Sequence, residues 1–139
     1  INTDVAQAVR RRLYLNHTDI KMLFKVNPES DVYLAERSLQ KITKSILFHC
    51  FPDGLCVSGV SAGSETDDDI LKDVKAVADS VPVFCNTGCT AQNVAQKLSV
   101  VDGVCVGTAF KKDGKFENQV ELQRVVEFMD AVRAYRATK

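Results

Sequence analysis

Two short apolar runs, Val83-Phe84-Cys85 and Val104-Cys105-Val106, each pass directly into a polar turn that contains glycine. The first continues as Asn86-Thr87-Gly88-Cys89-Thr90, the second as Gly107-Thr108-Ala109. Short apolar runs bounded by such turns are the mark of strands covered on both faces of a parallel sheet. Glycine at a strand end lets bare backbone approach a ligand, and Thr90 has the chemistry of a helix N-cap. In an eight-stranded α/β barrel the loops after the last two strands commonly hold a phosphate through amides of this kind. One such turn says little. Two in succession point to a parallel α/β arrangement with an anion site at one rim, against the plain alternative of ordinary strand-to-helix turns with nothing bound.

The rest of the chain supplies strands and helices in the matching order. Val5, Val9 and Leu13 recur every four residues behind Asn2 or Thr3 as a cap, which predicts a helix to about Leu15. Residues 20–26 read as a strand, and Asn27-Pro28-Glu29-Ser30-Asp31 as a polar turn. A helix is expected over 34–49, with Leu39, Ile42, Ile46 and Leu47 or Cys50 as its buried stripe, closed by Pro52-Asp53-Gly54. Leu55-Cys56-Val57-Ser58 is a further strand, and 59–66 a loop of small residues. Asp67-Asp68-Asp69 opens a helix through Ile70, Leu71, Val74 and Val77, its carboxylates complementing the positive end of the dipole. Strands over 82–86 and 103–106 flank a helix over 91–98. Lys111-Lys112-Asp113-Gly114-Lys115 is a basic turn, and a last helix over 120–135 sends Val125, Val126, Phe128, Met129 and Val132 toward a core.

The order is one helix followed by four βα units, and strands joined by helical crossovers run parallel. The expected fold is a single α/β domain over residues 1–139: a parallel (βα)4 half of a TIM-type (β/α)8 barrel, preceded by one helix. A full barrel takes about 250 residues, so the N-terminal half is expected to be absent or supplied by another chain. Open sheet edges would otherwise invite self-association or a protein partner.

Composition removes several classes. Lys plus Arg equals Asp plus Glu at 18 each, so no overall field attracts nucleic acid or an anionic membrane. Arg10-Arg11-Arg12 and the tail Arg133, Arg136, Lys139 fall on solvated faces of amphipathic helices. No apolar stretch approaches the roughly 20 residues that span a bilayer, and no signal or transit segment is visible. The expected location is cytoplasmic, although the chain opens at Ile1 and targeting information would lie before it. Five cysteines without a C-x-x-C pair fit a reduced compartment. Cys56, Cys85 and Cys105 read as buried strand residues; Cys89, in the glycine turn, reads as filler because no His or carboxylate stands beside it. No metal or cofactor is expected: adjacent positions such as Asp67, Asp68 and Asp69 point in different directions on a helix. His17 precedes a strand at the far rim and His49 closes a helix, so neither reads as catalytic.

Three strings, Val57-Ser58-Gly59-Val60-Ser61-Ala62-Gly63-Ser64, Asn86-Thr87-Gly88-Cys89-Thr90-Ala91-Gln92-Asn93-Val94 and Asp102-Gly103-Val104-Cys105-Val106-Gly107-Thr108-Ala109-Phe110-Lys111-Lys112-Asp113-Gly114, resemble the BtpA family, which includes SgcQ-like proteins. The resemblance covers essentially the whole chain, aligned to the C-terminal half of the family's barrel. It implies a barrel similar to those that bind ribulose phosphates, with a poorly defined activity and member names that range from photosystem assembly factor to nucleoside triphosphatase. It also places Ser58, Gly59 and the loop to Ser64 at one side of the mouth, with Gly88, Gly107 and Thr108 at the phosphate end. The family usually ends the strand aligned with 20–26 in an acidic residue followed by a Lys-His element; here Lys25-Val26-Asn27-Pro28-Glu29-Ser30 stands instead.

The functional expectation is a protein that binds a phosphorylated small molecule over the C-terminal ends of its strands. Its candidate binding residues are Ser58, Gly59, Asn86, Gly88, Gly107, Thr108 and Lys111, and no catalytic residue is assigned. The alternative is a non-catalytic assembly or scaffold protein. Nucleotide hydrolysis rests on family naming only, since neither G-x-x-x-x-G-K-[ST] nor G-x-G-x-x-G occurs.

Overall fold

The computed structural model describes residues 4–28 and 34–139. The expected caps Asn2 and Thr3 and the turn residues Glu29, Ser30 and Asp31 lie outside them. The elements are α1 (Val5–Tyr14), β1 (Leu23–Lys25), α2 (Leu39–Cys50), β2 (Gly54–Val57), α3 (Asp68–Lys75), β3 (Val83–Cys85), α4 (Val94–Val100), β4 (Gly103–Val104) and α5 (Leu122–Arg136). Short 3₁₀ turns at Thr108–Phe110 and Lys112–Gly114 precede α5. The strands pair in sequence order, β1-β2-β3-β4, and every pairing is parallel. This α/β arrangement is consistent with half of a TIM-type barrel. Among the described residues no helix is long and apolar enough to cross a membrane.

Element ends differ from the sequence reading where local hydrogen bonds decide them. Asp4 caps α1, its carboxylate accepting from Gln7 N at 2.9 Å. The helix expected from residue 34 begins at Leu39 behind Ser38, whose hydroxyl accepts from Lys41 N, and Leu34 is exposed. Asp67 caps α3 by accepting from Asp69 N at 2.8 Å. Regular α4 starts at Val94, but Thr90 organises the turn before it. Thr90 N donates to Asn93 Oδ1 at 2.8 Å and Asn93 N to Thr90 Oγ1 at 3.4 Å, the reciprocal pattern of a capping box. Cys105 falls just past β4; Leu13 and Val126, expected inside, are exposed.

The two faces of the sheet differ. In one register row Leu55 pairs with Val83; in the next inward row Val57 pairs with Cys85. These side chains are fully buried beneath the helices, where Leu71, Val74, Val94, Phe128 and Val132 complete the core. On the opposite face Phe84 lies across its neighbours: a Cβ on Gly54 would come within 2.9 Å of its ring, and one on Gly103 within 2.7 Å. Gly103 is therefore needed by the packing of Phe84, and Gly54 by the packing of Leu23 and Phe84 together.

At the N-terminal ends of the strands, Arg12 of α1 reaches Asp53 Oδ2 at 2.6 Å and the Ile20 carbonyl at 3.0 Å. Asp53 Oδ2 also accepts from Met22 N at 2.9 Å. The Met22 amide and then Arg12 hold the Asp53 carboxyl below its usual range. This contact ties α1 to the sheet, because α1 itself buries no residue.

At the other end, Lys97 of α4 is the largest fully buried side chain. Its ammonium donates to the Thr66 carbonyl at 2.7 Å and to Asp68 Oδ1 at 2.6 Å, and pairs with Glu65 Oε1 at 2.8 Å. All three protons thus have acceptors, which is the condition for keeping such a charge inside. Burial alone would lower the Lys97 pKa; the hydrogen bonds it donates to Asp68 and Glu65 outweigh this and the pKa is raised. The Lys97 hydrogen bond, followed by that of Gln96, lowers Asp68. The acidic run at the start of α3 therefore has three different jobs, since Asp67 caps, Asp68 holds Lys97 and Asp69 pairs with Lys72 at 3.0 Å.

Lys97→Met should cost about 3 kcal/mol, the scale seen when one partner of a buried pair is removed. Chemical denaturation should show a lower midpoint with an unchanged slope. The pH dependence carries a signature of the pair. Asp68 is depressed, so its contribution is complete above about pH 4 and fades as pH falls through the folded value. Lys97 is raised, so its contribution is complete below about pH 10 and fades as pH rises through the folded value. Both limbs should be shallower in Lys97→Met; an unchanged profile would mean that the network stabilises nothing.

Candidate functional site

A cavity of about 450 Å³ opens at the C-terminal ends of β3 and β4. One wall is the turn from Asn86 to Gln92, another the segment from Cys105 to Phe110, and Gly63 approaches from the loop after β2. The fourth wall comes from α5, which contributes Arg124, Glu127 and Phe128. Phe110 meets Phe128 edge to face at 5.2 Å, fixing the 3₁₀ turn to the helix.

The two sequence glycines have different reasons to be glycine. Gly88 stands at φ +71, and a Cβ there would lie 2.2 Å from Glu65 Cα and 2.3 Å from the Ser64 carbonyl. The fold itself requires it, because the turn after β3 presses against the loop after β2. Gly107 is the reverse case: its φ is −134, and a Cβ there would meet no atom within 4 Å. That position opens onto the cavity, where a side chain would take up space a ligand could use.

Asn86, Gly88, Gly107 and Thr108 line this one cavity together. Ser58 and Gly59 stand behind it. Ser58 is buried, its hydroxyl accepting from Asn86 Nδ2 at 3.0 Å, and Gly59 N donates to Thr87 Oγ1 at 2.6 Å. A Cβ on Gly59 would strike the Glu65 carbonyl at 2.7 Å, so Gly59 answers to packing inside its loop. Asn27, which follows β1, pairs with both backbone groups of Ser58: Nδ2 donates to Ser58 O at 2.7 Å and Oδ1 accepts from Ser58 N at 2.9 Å. A row Asn27, Ser58, Asn86 therefore crosses three strand ends and orients the Asn86 amide. Lys111 is directed elsewhere; its ammonium donates to the Phe116 carbonyl and lies 4.7 Å from the Phe116 ring centre.

Arg124 is the cavity residue that sequence reasoning missed. Its Nε donates to Glu121 Oε2 at 2.8 Å, which leaves the terminal nitrogens without a protein acceptor among the described residues. A lone arginine in the first turns of an amphipathic helix carries no local sign that it faces a cavity. The amides of Gly88, Cys89, Gly107, Thr108 and Ala109 also have no protein acceptor among the described residues. Unpaired main-chain donors on both loops, with a guanidinium opposite, form an environment suited to an anion.

Cys89, too, has a neighbour that linear sequence concealed. Its Sγ lies 3.3 Å from Cys85 Sγ, and both residues are buried. The Cys89 hydrogen bond lowers Cys85 to about 7, against the opposing effect of burial and with help from the Thr66 hydroxyl and the Lys97 charge. Cys89 is correspondingly pushed up, since Cys85 takes the negative charge first. The other close pair behaves differently: burial, then the nearby Cys105, raises Cys56 to about 11. His17 and His49 lie away from the cavity, the first beside Asp19 and the second against the Phe48 ring. Among the described residues no group of three or more His, Cys, Asp or Glu is arranged to hold a metal ion.

Comparison with known proteins places these features in a lineage. Residues 1–134 match the BtpA family. The chain is 42% identical over 135 residues to the sgc region protein SgcQ of Escherichia coli, covering 97% of this chain and 50% of SgcQ. It is 33% identical over 84 residues to a protein of Thermococcus kodakarensis, covering 60% of this chain and 32% of that one. Against the photosystem I biogenesis protein BtpA of Synechocystis it is 29% identical over 80 residues, 58% of this chain and 28% of the relative. The chain thus spans at most half the length of these relatives. On the matched span and the parallel α/β architecture together, this chain belongs to the BtpA family.

Proposed function

We propose that this chain binds a phosphorylated small metabolite in the cavity at the C-terminal ends of β3 and β4. The observation that carries the reading is Gly107: no protein atom forbids a side chain there, yet the position faces a cavity rimmed by unpaired amides. The amides near Gly88, Gly107 and Thr108 hold the phosphate, and Asn86, oriented through Ser58, meets the remainder of the molecule. Arg124 supplies the positive charge in place of Lys111, whose ammonium is engaged by Phe116. Gly59 supports the site from behind through Thr87.

A second reading, as an assembly component, is favoured by one specific observation. Leu13, Tyr14, Leu15, Ile20 and Leu23 are exposed along α1 and the outer edge of β1. That edge of a parallel sheet is where the remaining strands of a barrel, from the same polypeptide or another, would pair.

Four outcomes are expected. A thermal-shift panel of sugar phosphates and inorganic phosphate should raise the transition in a concentration-dependent way, by about 2.7 kcal/mol at 100 times Kd. Gly107→Asp should fold normally and lose that response, while Gly107→Ala keeps its stability; a panel without effect on folded protein would shift the weight to assembly. Arg124→Ala should weaken binding by about tenfold, the effect of a lost charge-assisted hydrogen bond, whereas Lys111→Ala should leave it nearly unchanged. Light scattering should show association through the β1 edge that Leu23→Lys abolishes; a monomer in both cases would remove the assembly reading.

A further inference from the structure

Beneath the turn that carries Gly88, two buried sulfurs lie in contact. Cys85 ends β3 and Cys89 follows the turn, so their side chains return to the same place from opposite ends of a five-residue loop. The gap between the sulfurs is 3.3 Å, and closing it to a disulfide requires about 1.2 Å of movement. Cys89 lines the cavity and its sulfur touches Cys85, so a small reagent approaches the pair from that side.

We propose that Cys85 and Cys89 are an oxidation site at which a hydroperoxide closes an intrachain disulfide across the Gly88 turn. The surroundings favour a single thiolate shared by the pair. The Cys89 hydrogen bond, with the Thr66 hydroxyl and the Lys97 ammonium, outweighs burial and places the thiolate on Cys85. Its sulfur attacks the peroxide, an S–O bond forms as the O–O bond breaks, and the departing oxygen takes a proton from solvent to leave as water or alcohol. Cys89 then attacks the sulfenic sulfur, the S–O bond breaks, and the hydroxyl leaves as water with the Cys89 proton. Two thiols have lost two electrons and two protons, and the peroxide has been reduced by two electrons.

The bond would hold residues 86–88 in a small ring and pull Cys89 away from the cavity. Its effect on ligand binding rests on the phosphate reading above; formation of the bond does not. In other words, oxidation would reshape the turn that presents the Gly88 and Cys89 amides.

The test treats the reduced, folded protein with hydrogen peroxide at neutral pH, blocks remaining thiols, and maps tryptic peptides without reduction. Residues 76–97 form one tryptic peptide that contains Cys85 and Cys89 and no other cysteine. That peptide should appear lighter by two hydrogens and unblocked, while the peptides carrying Cys50, Cys56 and Cys105 are blocked. Cys89→Ser should instead stop at a sulfenic acid on Cys85 that dimedone traps. Full blocking of both thiols after peroxide, or a disulfide that prefers Cys56 and Cys105, would overturn the proposal. Thermal shift with inorganic phosphate, on the reduced and oxidised protein, separates the two readings. Binding weaker by about tenfold after oxidation and restored by dithiothreitol supports the linkage, a coupling of ordinary size. A disulfide that forms in a protein that never responds to phosphate leaves the thiol pair standing and removes the ligand reading.

Discussion

A buried ammonium organises the C-terminal end of this sheet. Lys97 cannot stay inside without acceptors for its protons, and it finds all of them on one short stretch: Glu65, the Thr66 carbonyl and Asp68. The loop after β2 is thereby fastened to α4. Once Glu65 and Thr66 are held, the turn after β3 must pass against them, and only a residue without Cβ can do so at Gly88. Thr66 then meets Thr87 through the hydroxyl and the carbonyl, both at 3.1 Å, and Thr87 receives the Gly59 amide. One charge thus fixes the positions of two loops and the geometry of the cavity rim between them.

The cavity shows a division of labour between residues that make the shape and residues that face it. Gly59, Gly88 and Ser58 are determined by what lies behind them, through close backbone contacts and buried hydrogen bonds. Gly107, Thr108 and Arg124 meet few such constraints and look onto open space. This separation makes the functional reading specific: the loosely constrained group is the one that a ligand would restrain. It also explains why the thiol pair matters, because Cys85 and Cys89 bracket the constrained turn and share their surroundings with Lys97 and Thr66.

The opposite end of the sheet is held differently. Arg12 and Asp53 hold α1 in place by polar contacts, while the apolar residues of α1 and the edge strand remain exposed. Phe84 covers Gly54 and Gly103 on the inner face but leaves it only half-buried. A parallel sheet with one face covered by helices is consistent with half of a TIM-type barrel, and the chain covers 50% of SgcQ.

Local patterning determined the order of elements, their parallel pairing and the identity of the cavity-forming turns. Apolar runs such as 83–85 form strands, Asp67 and Thr90 have side chains that cap wherever a helix begins, and a glycine after a strand signals a tight approach. Those are short-range properties, expressed by each segment alone. Which glycine serves packing and which faces a cavity, that Arg124 and not Lys111 points inward, that Lys97 is interior, and that Cys85 touches Cys89 were decided only in three dimensions. Each depends on the direction of a side chain relative to a partner brought from elsewhere: Lys97 and Asp68 are 29 residues apart in the chain. A lysine in a helix carries the same local preference whether it is solvated or buried; the acceptors that tertiary packing supplies are what make the difference.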